Sequence, residues 1–344
     1  MGPSVKGLAL GSAAATLIAL AVGVAVLASG GDGDSPAALD LRAASPTATT
    51  TLPSATSEKT STPAPAPRPT ATPVAGGSDA ILAGAGDIAD SGPGAEATAK
   101  LLDVIPGTVA TFGDNAYNSG KDSEFANYYN PSWGRHKSRT RPAAGNHDYG
   151  TPGAAGYYKY FGAAAGDPSE GYYSYNLGAW HVVVLNSNCA KITGGCGSGS
   201  GQEQWLRTDL AAHPTKCTLA YWHHPRYSSG TEHGNATFMR DIYKALYDLG
   251  ADVVVSGHEH NYERFAPQDA DGHLDAVKGV REFVVGTGGA HHYGFVSTPV
   301  PHSEVRNSDT YGVIQLTLHS GSYDWKFLPD AGKTFTDSGS QGCH

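Results

Sequence analysis

Five short polar motifs contain the residues of this chain that are best suited to chemistry. In chain order they read AGDIAD, GDNAY, GNHD, WHHP and GHEHNYER, and each follows an apolar or small-residue run. A strand that runs into a glycine-bracketed loop delivers side chains to one edge of a sheet. The metal-ligand candidates in these motifs are Asp87, Asp114, Tyr117, Asn146, His223, His258 and His260. This set contains no thiolate and suits hard or borderline metals such as iron, manganese or zinc.

Each motif is a weak signal when it stands alone, because Asp often supports an ordinary turn by bonding its own backbone. Asp114 has two carboxylate oxygens and is suited to bridge two cations about 3.5–4 Å apart. His258 and His260 lie two positions apart, so from a loop just beyond a strand they can reach two adjacent metals. The ordered series of five motifs therefore predicts a binuclear metal site.

The elements predicted around these motifs form an α/β fold. Strands at residues 80–85 and 108–112 flank a helix at 96–104, which makes a βαβ opening. A hairpin at 172–177 and 180–186 makes the sheets mixed. Further predicted strands cover 139–144, 218–222, 252–256, 282–285, 313–318 and 323–327. A helix covers 202–212, and another is capped by Asn235, carries Phe238 on its apolar face and ends at Gly250. The predicted architecture is a four-layer α-β-β-α sandwich with two mixed β-sheets.

The chain divides into three predicted regions. Residues 1–30 contain an apolar stretch of about the 20 residues needed to span a bilayer, and form either a signal peptide or an N-terminal membrane anchor. Residues 31–78 are rich in Pro, Thr, Ser and Ala and form a disordered linker. Residues 79–344 form one catalytic domain. We therefore expect a secreted or cell-envelope-associated, extracytoplasmic protein.

The four cysteines show neither a CxxC pair nor zinc-ribbon spacing. In an exported protein they favour two disulfides over free thiols. Pairing Cys189 with Cys196 would close a glycine-rich loop and leave Cys217 and Cys343 to hold the C-terminus, although four cysteines allow three connectivities.

The GDNAY, GNHD, His-x-Pro and GHxHNYER motifs resemble those of the purple acid phosphatase branch of the calcineurin-like metallophosphoesterases, in its small, single-domain form. The resemblance covers nearly all of residues 79–344 and implies two ligand sets that share Asp114. A ferric ion would be bound by Asp87, Tyr117 and His260. A divalent iron, zinc or manganese ion would be bound by Asn146, His223 and His258. Tyr117 distinguishes this branch, because generic members of the family usually have no ligand there.

The same resemblance implies residues on the substrate side of the metals. His147 would face the phosphate and orient it or protonate the leaving alkoxide. His233, ten positions beyond His223, would be a second substrate-side histidine. Asp148 is expected to orient His147 without touching the metals.

These observations predict an exported acid phosphatase that hydrolyses small phosphomonoesters by attack of a metal-bound hydroxide. The net charge of -9 argues against nucleic acid as a partner. One alternative is a phosphodiesterase, or a neutral or alkaline phosphatase, that uses manganese or zinc at the same site. A second alternative is a non-catalytic envelope-binding protein.

Overall fold

A computed structural model of the protein describes residues 79–344. The predictions for residues 1–30 and 31–78 lie outside these described residues. Within the described part, no helix is both long and apolar enough to cross a membrane.

The described part of the chain contains thirteen strands and five α-helices, with short 3-10 and π-helical segments between them. The strands are β1 (Ala80–Ala85), β2 (Thr108–Phe112), β3 (Thr140–Ala143), β4 (Tyr173–Leu177), β5 (Trp180–Val184), β6 (Cys217–Tyr221), β7 (Val253–Ser256), β8 (Tyr262–Phe265), β9 (Arg281–Val285), β10 (Ser303–Asn307), β11 (Gly312–Leu318), β12 (Ser322–Pro329) and β13 (Ser338–Gly342). The helices are α1 (Gly94–Val104), α2 (Asp122–Glu124), α3 (Ala155–Phe161), α4 (Gly201–Ala212) and α5 (Arg240–Asp248).

The strands form two mixed sheets, as predicted. The first has the order β13-β12-β11-β1-β2-β3, and the second has the order β10-β8-β9-β7-β6-β5-β4. Strands β1, β2 and β3 are parallel to one another, and so are β5, β6, β7 and β9. Parallel neighbours bring their carboxyl ends to the same sheet edge, which is where the polar motifs follow.

Alternating residues of the parallel strands divide the apolar core into two layers. Val182 and Val184 of β5 pack with Leu82 and Phe112 of the first sheet, between the two sheets. Val183 of β5 points the other way and joins a cluster that includes the buried faces of α4 and α5. Helix α1 packs in the same cluster as Leu82 and Phe112. The α/β architecture with two mixed sheets and helices is therefore confirmed.

The region before α5 differs from the prediction. Asn235 does not cap this helix; its side-chain oxygen accepts a hydrogen bond from the backbone N–H of Ser228 at 2.7 Å. A 3-10 turn at Thr237–Met239 precedes α5. Phe238, predicted on the buried face, is 49% exposed, because this turn rotates it away from the core.

Two disulfides close loops of very different length. The loop disulfide, Cys189–Cys196, spans 7 residues, and the terminal disulfide, Cys217–Cys343, spans 126 residues. The cysteine Cα atoms are 5.3 and 5.4 Å apart, within the usual range. The structure thus has the favoured connectivity of the three.

Candidate metal centre

Five parallel strands deliver the predicted ligands to one edge of the two sheets. Each ligand loop begins within a few residues of a strand's carboxyl end. Strands β1, β2, β3, β6 and β7 lead in turn to Asp87, Asp114, Asn146, His223 and the His258–His260 pair. The sequence folds this way because buried apolar strands end where these polar loops begin.

Three of these ligands lie in left-handed backbone conformations that are uncommon for residues other than glycine. The φ angles are 60° at Asp87, 52° at Asp114 and 72° at His258. Such conformations cost on the order of 1–3 kcal/mol each and cluster at functional sites. Gly257 allows the close approach of these loops, because a Cβ there would lie only 2.6 Å from Oδ2 of Asp87.

The first ligand set surrounds the Tyr117 hydroxyl. Its oxygen lies 3.0 Å from Oδ1 of Asp87, 3.1 Å from Nε2 of His260 and 3.2 Å from Oδ2 of Asp114. Nδ1 of His260 donates to the carbonyl oxygen of His291 at 2.6 Å, which leaves the Nε2 lone pair of the neutral ring directed into the cluster. Three residues from distant motifs therefore converge on one point.

The second ligand set surrounds Nε2 of His223. This atom lies 3.0 Å from Oδ1 of Asn146, 3.1 Å from Nδ1 of His258 and 3.2 Å from Oδ2 of Asp114. Nδ1 of His223 donates to the carbonyl oxygen of Phe112, which orients the ring. A single oxygen of Asp114 thus contacts both ligand sets, and the structure brings together all seven predicted ligands.

Burial and neighbouring charge set the protonation of this cluster. Burial acts to raise the pKa of Asp114, but the adjacent His223 and His147 outweigh it and hold that pKa well below its usual range. Burial acts against a charged ring at His223, but Asp114 raises the pKa of His223 to about 9. Burial and the carboxylates of Asp114 and Asp87 raise the pKa of Tyr117 well above its ordinary value. A nearby cation would favour the deprotonated form of each group.

The donor chemistry fits two metal ions. The cluster offers two carboxylates, a phenol, an amide oxygen and three imidazoles, and several of these side chains are fully buried. Oxygen and imidazole donors without a thiolate suit iron, manganese and zinc. Among the described residues, two groups with metal-ligand spacing fall here, namely Asp87, Asp114 and His223, and His223, His224 and His258.

The two predicted substrate-side histidines lie at the rim of this cluster. Nε2 of His147 is 3.9 Å from Oδ2 of Asp114, and its side chain is 35% exposed. The exposed ring of His233 stacks on His258 with ring centroids 4.0 Å apart. Both rings are thus within reach of a small molecule bound at the metals.

Asp148 makes different contacts from those predicted. The ring of His147 is oriented by the carbonyl oxygen of Asn118, at 2.7 Å from Nδ1, and not by Asp148. The buried Asp148 carboxylate instead accepts from the side chain of Asn115 at 2.9 Å and from the backbone N–H of Gly145 at 2.8 Å. It therefore joins the GDNAY and GNHD loops. Burial, followed by the charge of Asp114, raises the pKa of Asp148 to about 7.

Three further residues border the site. His224 lies with its ring centroid 4.2 Å from that of His258, and Tyr293 stacks on His260 at 4.0 Å. The buried carboxylate of Glu259 accepts from the backbone N–H groups of His233 and Gly234. His224 and Glu259 lie within the WHHP and GHEHNYER motifs, whereas Tyr293 lies outside the five motifs and its contact with His260 is made across the fold.

The calcineurin-like phosphoesterase family model matches residues 74–262. This match covers more than half of the chain, and the protein belongs to that family. Among curated proteins, it is similar to purple acid phosphatase 22 of Arabidopsis thaliana, with 30% identity over 181 residues, which are 48% of this chain and 39% of the relative. Purple acid phosphatase 15 of the same plant is 38% identical over 105 residues, which are 29% of this chain and 19% of the relative. The chain thus spans less than two fifths of the length of these relatives.

Solved structures confirm the fold. A purple acid phosphatase from yellow lupin (Lupinus luteus) seeds has a TM-score of 0.64 at 18% identity, with 78% of this chain and 54% of that chain covered. GAP50, the anchor in the inner membrane complex of Plasmodium, has a TM-score of 0.61 at 16% identity, with 77% and 89% covered. The predicted resemblance is therefore confirmed for the family and for relatives named purple acid phosphatases.

Proposed function

We propose that this protein is a binuclear metallohydrolase that cleaves phosphate monoesters, with the character of an acid phosphatase. The observation that carries the proposal is the position of Oδ2 of Asp114. It lies 3.2 Å from the Tyr117 hydroxyl oxygen and 3.2 Å from Nε2 of His223, so one carboxylate oxygen joins both ligand sets. A carboxylate oxygen shared in this way suits two cations about 3.5–4 Å apart.

The set around Tyr117 would hold a ferric ion, and the set around His223 would hold a divalent iron, zinc or manganese ion. When bound, the ions would supply positive charge beside the phosphate and lower the pKa of water. Tyr117 is the residue that favours ferric iron, because a phenolate is a hard oxygen donor. The two buried carboxylates beside it would then be neutralised.

The histidines at the rim would act on the ester itself. Nδ1 of His147 donates to the carbonyl oxygen of Asn118, which fixes the ring with Nε2 directed toward the cluster. In its protonated form this ring carries a proton on Nε2 that it can give to the leaving oxygen. His233, held by its backbone bond to Glu259, would bind a phosphate oxygen from the other side. An acidic optimum is expected because a ferric ion would lower the pKa of water more strongly than a divalent ion would.

Metal analysis and visible absorption of the Tyr117→Phe variant test the ferric assignment. We expect the purified wild-type protein to be coloured by a phenolate-to-iron transition, and the variant to lose this colour and much of its iron. Tyr293→Phe is the matched control, because it removes a neighbouring hydroxyl while keeping the ring that stacks on His260. A colourless wild type, or a variant with unchanged spectrum and iron content, would contradict the assignment.

Paired monoester and diester substrates, assayed across pH, separate the proposal from its alternatives. We expect the monoester to be preferred, with an optimum on the acidic side. A preference for the diester, or a neutral to alkaline optimum with manganese or zinc, would favour the first alternative.

A non-catalytic role is the second alternative, since a neighbour of similar fold is described as an anchor. The complete ligand set favours catalysis over that role. We expect Asn146→Ala to fold, to retain the first ligand set and to lose turnover. Absence of turnover in the metal-loaded wild type on either ester class would support the binding role.

We also infer that the protein is exported. The two disulfides support this inference, because disulfides persist mainly in oxidising compartments. Fractionation of the producing cells, with N-terminal sequencing of the recovered protein, would show whether residues 1–30 are cleaved or retained. Recovery of the intact chain from the cytoplasm would contradict export.

A further inference from the structure

A hollow of about 380 Å³ opens next to the metal centre, on the side of the second ligand set. It is lined by residues 187–191, His224 and Phe238, and most of its wall is apolar. Its size is at the lower end of the range for small-molecule sites, which is roughly 300–1,000 Å³. None of these residues is a predicted metal ligand, so the metals alone leave the hollow without a role.

His224 is the wall that the hollow shares with the metal centre. Its ring centroid lies 4.2 Å from that of His258 and 5.6 Å from that of Phe238. Oγ of Ser187 accepts the backbone N–H of His224 at 2.9 Å and lies 2.7 Å from its Nδ1. These two contacts with Ser187 fix the orientation of the His224 ring. Because the His224 ring borders both the metal centre and the hollow, the organic group of a phosphate ester held at the metals would lie beside this ring, at the edge of the hollow.

The loop that forms the far wall is fixed in place before any ligand binds. The loop disulfide closes it, and Nδ2 of Asn188 donates to the carbonyl oxygen of Ala144 at 3.1 Å. Ala144 precedes the GNHD motif, so the wall is attached to the same segment that carries Asn146. A rigid wall lowers the entropic cost of binding a ligand.

Phe238 indicates which chemical group the hollow would bind. This aromatic side chain is 49% exposed. Its ring faces the same hollow as Ala190 and the His224 ring. Lys191 adds a cation at this wall, and within residues 79–344 no carboxylate pairs with its ammonium group. An aromatic ring matches this apolar wall and can also lie against the Lys191 cation.

We propose that the hollow is the leaving-group subsite and that the preferred substrates are phosphate monoesters of aromatic alcohols. This inference rests on the proposed function and names the substrate class for it. Phe238 is its specificity-determining residue, and His224 separates the ring of the substrate from the metals.

Binding of two non-hydrolysable phosphonates to the full-length, metal-loaded protein tests the subsite without turnover. Calorimetry with phenylphosphonate and methylphosphonate gives the affinity ratio between an aromatic and a small group. We expect the wild type to favour phenylphosphonate by about tenfold, and Phe238→Ala to lose most of that preference. Ala190→Trp, which fills the hollow, is expected to weaken phenylphosphonate alone. Leu274→Ala is the matched control, since Leu274 is 58% exposed and does not line the hollow.

Kinetics give a second readout in which the reactivity of each leaving group cancels. The ratio of kcat/KM for phenyl phosphate to that for ethyl phosphate is compared between wild type and Phe238→Ala, and we expect it to fall about tenfold. Equal ratios in all variants, with methylphosphonate binding and ethyl phosphate turnover intact, would overturn the subsite and leave the proposed function standing. Failure of the wild type to hydrolyse either ester or to bind either phosphonate would refute both.

Discussion

Replacing Glu259 by alanine tests how the loop that carries His233 is held over the metal centre. The Glu259 carboxylate is fully buried, and its Oε1 accepts the backbone N–H of His233 at 2.7 Å and that of Gly234 at 2.6 Å. Its removal leaves two donors without their acceptor, each at a cost of about 1–3 kcal/mol. We expect the free energy of unfolding, measured by urea denaturation, to fall by about 2–6 kcal/mol.

The effect on catalysis should pass through His233. Loss of the two hydrogen bonds frees the loop, and a displacement of about 1 Å at a substrate-positioning group can lower the rate about 100-fold. We therefore expect Glu259→Ala to lower kcat/KM by about 10- to 100-fold. In a double-mutant cycle, the same change made in the His233→Ala protein should have little further effect. A cycle in which the two losses multiply would refute the positioning role.

Two controls separate this role from damage to the ligand loop. Glu259→Gln keeps an oxygen in place of Oε1, and its amide group occupies the position of Oε2, which has no hydrogen-bond partner within the described residues. We expect this variant to recover most of the activity. Metal content should be unchanged in both variants, because Glu259 lies between two ligand histidines without belonging to the ligand sets. A glutamine variant as impaired as the alanine variant would show that the charge, not the loop contact, matters.

Three further perturbations test other parts of the structure. Replacing both cysteines of the terminal disulfide by serine should lower the free energy of unfolding by about 4–5 kcal/mol, and the same change in the loop disulfide should lower it by about 2 kcal/mol. The terminal disulfide contributes more because it closes a longer segment and so restricts the unfolded chain more. Equal losses in urea denaturation would contradict this. Gly257→Ala should reduce metal content, since its new Cβ would displace Asp87; a fully loaded variant would refute that steric argument. Burial raises the pKa of Glu282 to about 8. The unfolded chain therefore loses this proton at a lower pH than the folded protein does. The stabilising contribution of Glu282 is complete below pH 4.5 and is lost as pH rises to about 8. Urea denaturation at pH 5 and pH 8 should show this decline, and Glu282→Gln should reduce it.

Much of the fold and of the ligand set could be predicted from local pattern. Short apolar runs bounded by glycine and polar residues identify most of the strands, because a buried strand must end where the chain returns to solvent. The same boundaries located the ligand loops after β1, β2, β3, β6 and β7. The edge strand β13, with the sequence SGSQG, was not predicted, since it has no apolar alternation and owes its conformation to pairing with β12.

The sequence alone determined which side chains could bind metal and in what order they occur along the chain, because residue type and strand-end position depend on local chemistry. Tertiary structure decided how those side chains meet. It placed one oxygen of Asp114 between both ligand sets, gave Asp148 to a neighbouring loop and not to His147, and left Phe238 exposed beside a hollow. Most of these contacts join residues that are far apart in the chain. The packing of the two sheets sets the distances between them, and no local sequence pattern predicts that packing.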